Sequence, residues 1–444
     1  MESISGKADH LVVLVHGMWG QPSHLEYLSK SLRETYDQDQ IHILVAKSNA
    51  NTHTYDGIET GGERITHEIE AEIKKIEESG TSIRKLSVIG YSMGGLVARY
   101  AIGLLYSAGL FKTVEAVNFT TFATPHLGVR APITGKASQI WNVLGARTLS
   151  TSGQQMFLVD QFRDTGRPLL HVLADPNSIF IRGLSQFHHR TLYANILNDR
   201  SVVYYTAAIS STDPYANLDT VQLHPLTDTD SVILDPSHPV SHKTPTIPPL
   251  LSRLRSAATT TVTSIPWAFF LTVLLPVGSI IFLTSAGIQT IKSAQRRKLH
   301  DSGKTGVQVE KYRSAPFMVD ELRSVADRVY NAAANTAGGE EYLPTPPPEE
   351  AEREPLVKGS RETLVEGKEV GDEAGGVEKW PTLALTKEQF EMIDALDGVG
   401  FTKYRVHITT VRHSHAAIVV RTPWRPGFGQ GRTVVKHWIE KFVV

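Results

Sequence analysis

Gly90-Tyr91-Ser92-Met93-Gly94 reads G-x-S-x-G. A serine hydroxyl is a weak nucleophile at neutral pH; it needs a base to take its proton and donors to hold the oxyanion it creates. By itself the pentapeptide is weak, since ordinary Gly and Ser frequencies produce it in roughly one chain in five of this length. Its setting makes it specific. Leu86–Ile89 reads as a strand running in, and Gly95–Leu105 as a helix running out. That strand–turn–helix order puts the serine on a sharp, strained turn at a helix N-terminus, where developing negative charge is favoured.

A second element belongs with it. His16-Gly17-Met18-Trp19-Gly20 follows the first strand directly. An HGxxG loop in this position turns a backbone N–H toward the nucleophile, so the oxyanion hole is assigned to the Met18 and Met93 amides. Each such donor is typically worth ~10²–10³ in rate, because it is fixed before charge develops. His16 itself reads as a structural loop residue.

The acid is expected just after a later strand. Leu192–Leu197 is that strand, and Asp199 in the following Asn198-Asp199-Arg200-Ser201-Val202 is the choice, ahead of Asp160, Asp175 and Asp213. The base follows the acid in the order Ser, Asp, His. His407 falls inside a strand and His437 on the last helix, which gives both structural roles. His413-Ser414-His415 falls in the loop after the last strand. His415 is preferred as base, with His413 as the alternative. The expected chemistry is then attack of Ser92 on an ester carbonyl, with His415 taking the proton, Asp199 orienting the imidazole, and water releasing the acyl-enzyme.

These residues need a frame. Strand-like apolar runs recur at Leu11–Val15, Ile41–Val45, Leu86–Ile89, Ala116–Phe122 and Leu192–Leu197. Between them Gly62–Glu77 places Ile65, Ile69, Ile73 and Ile76 on one helical face. Such alternation, with strands apolar on both faces, implies a doubly wound, mostly parallel sheet. Order returns late in the chain. Lys387–Leu396 is helical in pattern behind a Thr386/Gln389 capping box, Tyr404–Thr409 reads as a strand, and Arg432–Val443 as a closing amphipathic helix. The resulting division is 1–215 and 380–444 as two parts of one catalytic domain. Between them lie a 216–263 loop, an apolar segment with a basic flank (264–298), an amphipathic connector with a short helix over 318–333 (299–337) and an acidic, disordered linker (338–379).

Composition narrows the classes. The 444-residue chain has a formal net charge of −1, which argues against a protein that binds nucleic acid by neutralising many phosphates. It contains no cysteine, which excludes disulfides, zinc thiolates and a cysteine nucleophile. The N-terminus has no basic n-region and too short an apolar run for a signal peptide, which predicts a chain that starts in the cytosol. No metal cluster or nucleotide loop stands out, so no cofactor is expected.

HLVVLVHGMWG, THTYDGIETGGERI, IGYSMGGLVARYAIG, FTTFATPHLGVR, LYANILNDRSVVYYTAAI and VRHSHAAIVVR together resemble the fungal serine-esterase (lipase-like) family, and within it the phospholipases of lipid droplets. The likeness covers residues 10–215 and 380–444, about three fifths of the chain. It implies an α/β-hydrolase fold and hydrolysis of lipid esters, glycerophospholipids first, with neutral acylglycerols as the alternative. It also implies Ser92 as nucleophile, Asp199 as acid and His415 as base, and marks Asp56, Thr124, Pro125 and His126 as family positions. For His126 a turn-stabilising role is preferred over lining the acyl pocket. A different class of reading is a catalytically idle hydrolase fold used as a membrane scaffold; the intact Ser, Asp, His and oxyanion positions argue against it.

One stretch does not fit a soluble enzyme. Ile265–Ile288 is 24 residues without a charge. As a helix it would be ~36 Å long, enough for a ~30 Å hydrocarbon core. A single crossing, however, would strand Ser92 and Asp199 on the opposite side from His415. Pro276 and Gly278 near its midpoint, with Arg253 and Arg255 before and Lys292 to Lys298 after, suit a hairpin with both flanks in the cytosol. The expected partner is therefore a membrane or lipid-droplet monolayer met through 265–288, on the cytosolic face of a droplet or the endoplasmic reticulum. A buried core helix or a lid over the site is the other reading of this segment.

Overall fold

The computed structural model describes residues 8–131, 148–243, 275–318 and 380–444, with 275–283 as backbone only. Five strands alternate with helices in the first half: β1 (His10–Val15), β2 (Ile41–Val45), β3 (Lys85–Tyr91), β4 (Glu115–Phe122) and β5 (His189–Asn195). A short antiparallel hairpin, β6 (Val221–Leu223) and β7 (Val240–His242), follows, and β8 (Thr402–Val406) arrives late. The long helices are α1 (Glu26–Thr35), α2 (Ile58–Glu78), α3 (Met93–Ser107), α4 (Leu275–Asp301), α5 (Lys387–Val399) and α6 (Gly429–Lys441).

β1–β5 and β8 form one six-stranded sheet in the order β2-β1-β3-β4-β5-β8, every pairing parallel. All six residues of β1 are buried, as a strand covered on both faces requires. Parallel strands cannot be joined by hairpins, so each return runs through a helix and packs a layer onto the sheet. α1 and α6 supply one layer: Leu28 and Leu32 of α1 and Val434, Val435 and Trp438 of α6 share a core with Val12, Leu14, Ile89, Tyr91, Phe122 and Tyr193. α2 and α3 pack on each other and form the second layer. Six parallel strands, Ser92 on the β3–α3 turn and helices on both faces make this an α/β-hydrolase-like fold, in agreement with the sequence reading.

A consequence of parallel pairing decides where chemistry can occur. The C-terminal ends of all six strands lie along one edge, so the loops after β1, β3, β4, β5 and β8 converge there. β8, more than 200 residues after β5 in sequence, pairs directly with it through Thr191–Asn195 and Thr402–Val406. That pairing returns the tail of the chain to the edge that bears Ser92.

Two readings change. Residues 216–243 are not one loop: they hold the β6–β7 hairpin, and Val232, Ile233 and Leu234 are fully buried, with Ile233 bridging to Val406. The Pro, Ser and Asp content that suggests a loop marks the turns between these short pieces. Second, the basic stretch after the apolar segment is no free flank. α4 runs unbroken from Leu275 to Asp301 and sets its later turns against the 51–55 turn and Glu63 of α2. Ser293 hydroxyl donates to the Tyr55 carbonyl (3.2 Å), Arg296 pairs with Asp56, and His300 pairs with Glu63 (2.7 Å). The expected bend at Pro276 and Gly278 falls where the described part of α4 begins. Residues 265–274, the 318–333 helix beyond Met318 and the 338–379 linker lie outside the described residues. No described helix is long and apolar enough to cross a membrane.

Candidate active site

Ser92 sits between β3 and α3 at φ 56°, ψ −133°, in backbone space that side chains avoid. Such strain persists only where the surroundings over-determine it. Here the Ser92 amide donates to the Phe122 carbonyl of β4 (2.9 Å). The turn also presses against its neighbour: a Cβ on Gly94 would collide with the Val15 carbonyl, so the β1 and β3 loops can approach only because this residue is glycine.

The last strand and its loop bring in the base. His415 belongs to a single helical turn, Ser414–Ala417. Ser414 fixes that turn to the acid loop, its amide donating to Asn198 O (3.1 Å) and its hydroxyl to Leu197 O (2.7 Å). Tyr91, next to the nucleophile, donates its hydroxyl to the His415 carbonyl (3.0 Å) and lays its ring 5.1 Å from the imidazole. The result is a continuous chain: His415 Nε2 lies 3.0 Å from Ser92 Oγ, and His415 Nδ1 lies 2.9 Å from Asp199 Oδ2. With Nδ1 donating to the carboxylate, Nε2 is left as acceptor for the serine proton.

Asp199 is held by more than the histidine. The Ser201 and Val202 amides donate to Oδ1 (3.0 and 2.9 Å) and Asn195 Nδ2 to Oδ2 (2.9 Å). Burial pushes its pKa up. The charge and hydrogen bond of His415, the Val202 amide and Asn195 together outweigh that, and the carboxyl is held below the usual range. The other aspartates do different work. Asp160 accepts from the Leu169 amide and is pushed by burial to about 6; Asp175 pairs with Arg167; Asp213 caps the Pro214–Ala216 turn.

His413 is exposed at the N-cap of the same short turn and has no contact with Ser92. His437 bonds the Tyr193 hydroxyl (2.9 Å) in the core. His16 is buried; its Nδ1 meets the Gly17 carbonyl (3.1 Å), and burial lowers its pKa, so it is a neutral loop residue. His126, fully buried, takes Thr121 Oγ1 on its ring (3.0 Å) while its amide donates to Thr124 O and Thr206 O, a turn-holding role.

The loop after β1 lies directly against the nucleophile. A Cβ on Gly17 would lie 2.6 Å from Ser92 Cβ and 3.1 Å from Ser92 Oγ. Met18 is the next residue in this loop, and Met93, the residue after Ser92, is the first of α3. Sequence reasoning left the props of this loop unread. Trp19, at φ 53°, donates its amide to Thr54 Oγ1 (3.1 Å) and its indole N–H to the Tyr55 hydroxyl (2.8 Å). Asn51 donates its amide to the Gly20 carbonyl (2.7 Å). The family position Asp56 ends that 51–55 turn as a buried carboxylate between Arg64 and Arg296.

An α/β-hydrolase-like frame with a serine, a histidine and an aspartate in hydrogen-bonded sequence at its catalytic edge defines the class. Comparison with known proteins places the chain further. Residues 5–212 match the family described as "Putative serine esterase (DUF676)". That region contains Ser92 and Asp199; His415 lies beyond it. The "Putative lipase ROG1" of Saccharomyces cerevisiae is 34% identical over 209 residues, 46% of this chain and 29% of that protein. The "Putative lipase C4A8.10" of Schizosaccharomyces pombe is 30% identical over 213 residues, 47% and 27% of the two chains. The chain thus covers less than a third of the length of these relatives. Among solved structures, the phospholipase PlaB of Legionella pneumophila aligns over 44% of this chain and 40% of its own at 16% identity and a TM-score of 0.27. The fold assignment therefore rests on the strand order and the β3–α3 turn.

Proposed function

We propose that this chain is a serine lipid-ester hydrolase in which Ser92 is the nucleophile, His415 the general base and Asp199 its orienting acid. The observation that carries the reading is the Ser92–His415–Asp199 chain at 3.0 and 2.9 Å, assembled from loops 323 and 216 residues apart in sequence. His415 takes the Ser92 proton as Oγ attacks the ester carbonyl. The Met18 and Met93 amides hold the oxyanion, and His415 returns the proton to the leaving alcohol. Water, activated by the same imidazole, then releases the fatty acid.

The substrate class is supported from two sides. The yeast relatives carry the name lipase. The molecule also offers an apolar element beside the site. The later turns of α4 lie against the 51–55 turn and its exit into α2, Ser293 at Tyr55, Arg296 at Asp56 and His300 at Glu63. The half of α4 before Ser293, ~27 Å long, leads up to that contact. Ile288 and Ile291 on it are 48% and 63% exposed. A lipid surface met by this half, on the cytosolic face of a droplet or the endoplasmic reticulum, brings ester bonds to the site. Glycerophospholipid is the substrate proposed, from the family resemblance; neutral acylglycerol is the second reading, favoured by the relatives' name.

Fatty-acid release from phosphatidylcholine vesicles and from triacylglycerol emulsions, with wild type and Ser92→Ala, tests the proposal. Ser92-dependent release from vesicles supports it. Release from the emulsion alone moves the substrate to neutral lipid, and no release from either contradicts the hydrolase reading.

A further inference from the structure

The loop that carries the Met18 amide is not held by the catalytic residues. Its three outer tethers, from Trp19 N, Trp19 Nε1 and Gly20 O, all end on one 3-10 turn, Asn51–Tyr55. Trp19 is itself in left-handed backbone that a tryptophan adopts only under constraint. Whatever fixes the 51–55 turn fixes the position of the oxyanion donor.

The turn is fixed from two directions. On one, Ser152 Oγ donates to Thr54 O (2.6 Å) and accepts from the Gly57 amide (3.0 Å). On the other stands α4. Arg296 Nη2 donates to the Thr52 carbonyl and to Asp56 Oδ1, both at 2.7 Å, and its Nε spans both carboxylate oxygens at 3.0 and 3.1 Å. Ser293, three residues earlier on the same face, bonds Tyr55 O. A guanidinium can make these bonds at once because its donors form a rigid fork; an ammonium cannot. Asp56 is fully buried and keeps Arg64 as a second cation, so removing Arg296 loosens the turn without leaving a bare buried carboxylate.

We infer that Arg296 is a positioning residue for the oxyanion loop, and that through it the seating of α4 and the catalytic competence of Ser92 form one equilibrium. The inference rests on the esterase reading. It links the apolar half of α4 to the reaction through residues that touch neither substrate nor triad.

Hydrolysis of p-nitrophenyl butyrate by the full chain tests it, with active sites counted by end-point fluorophosphonate labelling. Arg296→Ala lowers kcat per active site about ten- to a hundredfold with KM unchanged, less than the ~10²–10³ of a lost oxyanion donor because the donor is displaced and not removed. Inhibition by a trifluoromethyl ketone, whose adduct carries the oxyanion, weakens by the same factor, whereas general destabilisation would change the site count and not the ketone affinity. Arg296→Lys recovers part of both. Should Arg296→Ala fail to fold, Arg296→Lys and Tyr55→Phe are read in its place, each with a three- to tenfold loss of the same form. An unchanged kcat, or a lower kcat with unchanged ketone affinity, overturns the inference. Wild-type protein without Ser92-dependent hydrolysis overturns the esterase reading instead.

Discussion

On one side of Ser92 the base and acid hold each other. His415 bonds Asp199, Ser414 bonds Leu197 and Asn198, and Tyr91 bonds the His415 carbonyl. On the other side the oxyanion loop bonds no part of that cluster and leans on a turn at 51–55, which leans in turn on Asp56, Ser152 and α4. In the proposed reaction both sides serve the same carbonyl carbon. The first is a local network anchored to β5 through Asn195; the second reaches the periphery through α4. Damage to the first should remove chemistry, while damage to the second should weaken transition-state binding in grades.

The largest effects belong to the local network. His415→Ala is expected to reduce ester hydrolysis by roughly 10⁴-fold or more, and Asp199→Asn by a comparable factor, because the amide stabilises the wrong imidazole tautomer. His413→Ala is expected to leave kcat within about twofold, since His413 is exposed and apart from Ser92. Steady-state kinetics on a soluble ester check all three, and equal losses at His413 and His415 would break the assignment of the base. Next is the oxyanion side. Gly17→Ala places a methyl against Ser92 Cβ and Oγ. It should cost about 10²–10³ in kcat/KM, the weight of a displaced oxyanion donor, and lower thermal stability as well, since the methyl also meets the Tyr91 carbonyl. A wild-type rate in this variant would remove the loop from the mechanism.

The smallest expected effect lies under both regions. His10, bonded to Ser87 Oγ (2.7 Å), and His437, bonded to Tyr193, are each lowered by burial to about 4. Folded pKa values below the unfolded 6.5 mean that the unfolded chain binds more protons between pH 6.5 and 4. Stability is therefore full above pH 6.5 and falls as pH drops through that window, by on the order of 3 kcal/mol per histidine. Urea titrations at pH 7 and 5 should show the loss, and His10→Gln should reduce it. A loss of activity at pH 5 that precedes any loss of stability would then belong to the local network and not to the fold.

These differences follow what a sequence can express. β2 falls at Ile41–Val45 as read, and the Thr386–Gln389 capping box forms in full, because both are local patterns. The helices at Ser150–Met156, Leu169–Leu173 and Ile179–Leu184 are too short for a 3.6-residue period to emerge and went unread. The 216–243 segment differs for the opposite reason: its composition is loop-like, and its fully buried Val232, Ile233 and Leu234 gain their place against β8, distant in sequence. Ser92, Asp199 and His415 were nameable because chain order and strand–loop context limit the choice. The props of the oxyanion loop were not, since Trp19–Tyr55 and Asp56–Arg296 join residues 36 and 240 apart through bonds that leave no periodic trace.

The most direct test of the central claim is site mapping of a fluorophosphonate adduct by mass spectrometry on wild type, Ser92→Ala and His415→Ala. The account predicts a single adduct on Ser92, none in Ser92→Ala, and labelling slowed at least a hundredfold in His415→Ala for want of the base. An adduct on another serine, or undiminished labelling without His415, would contradict it.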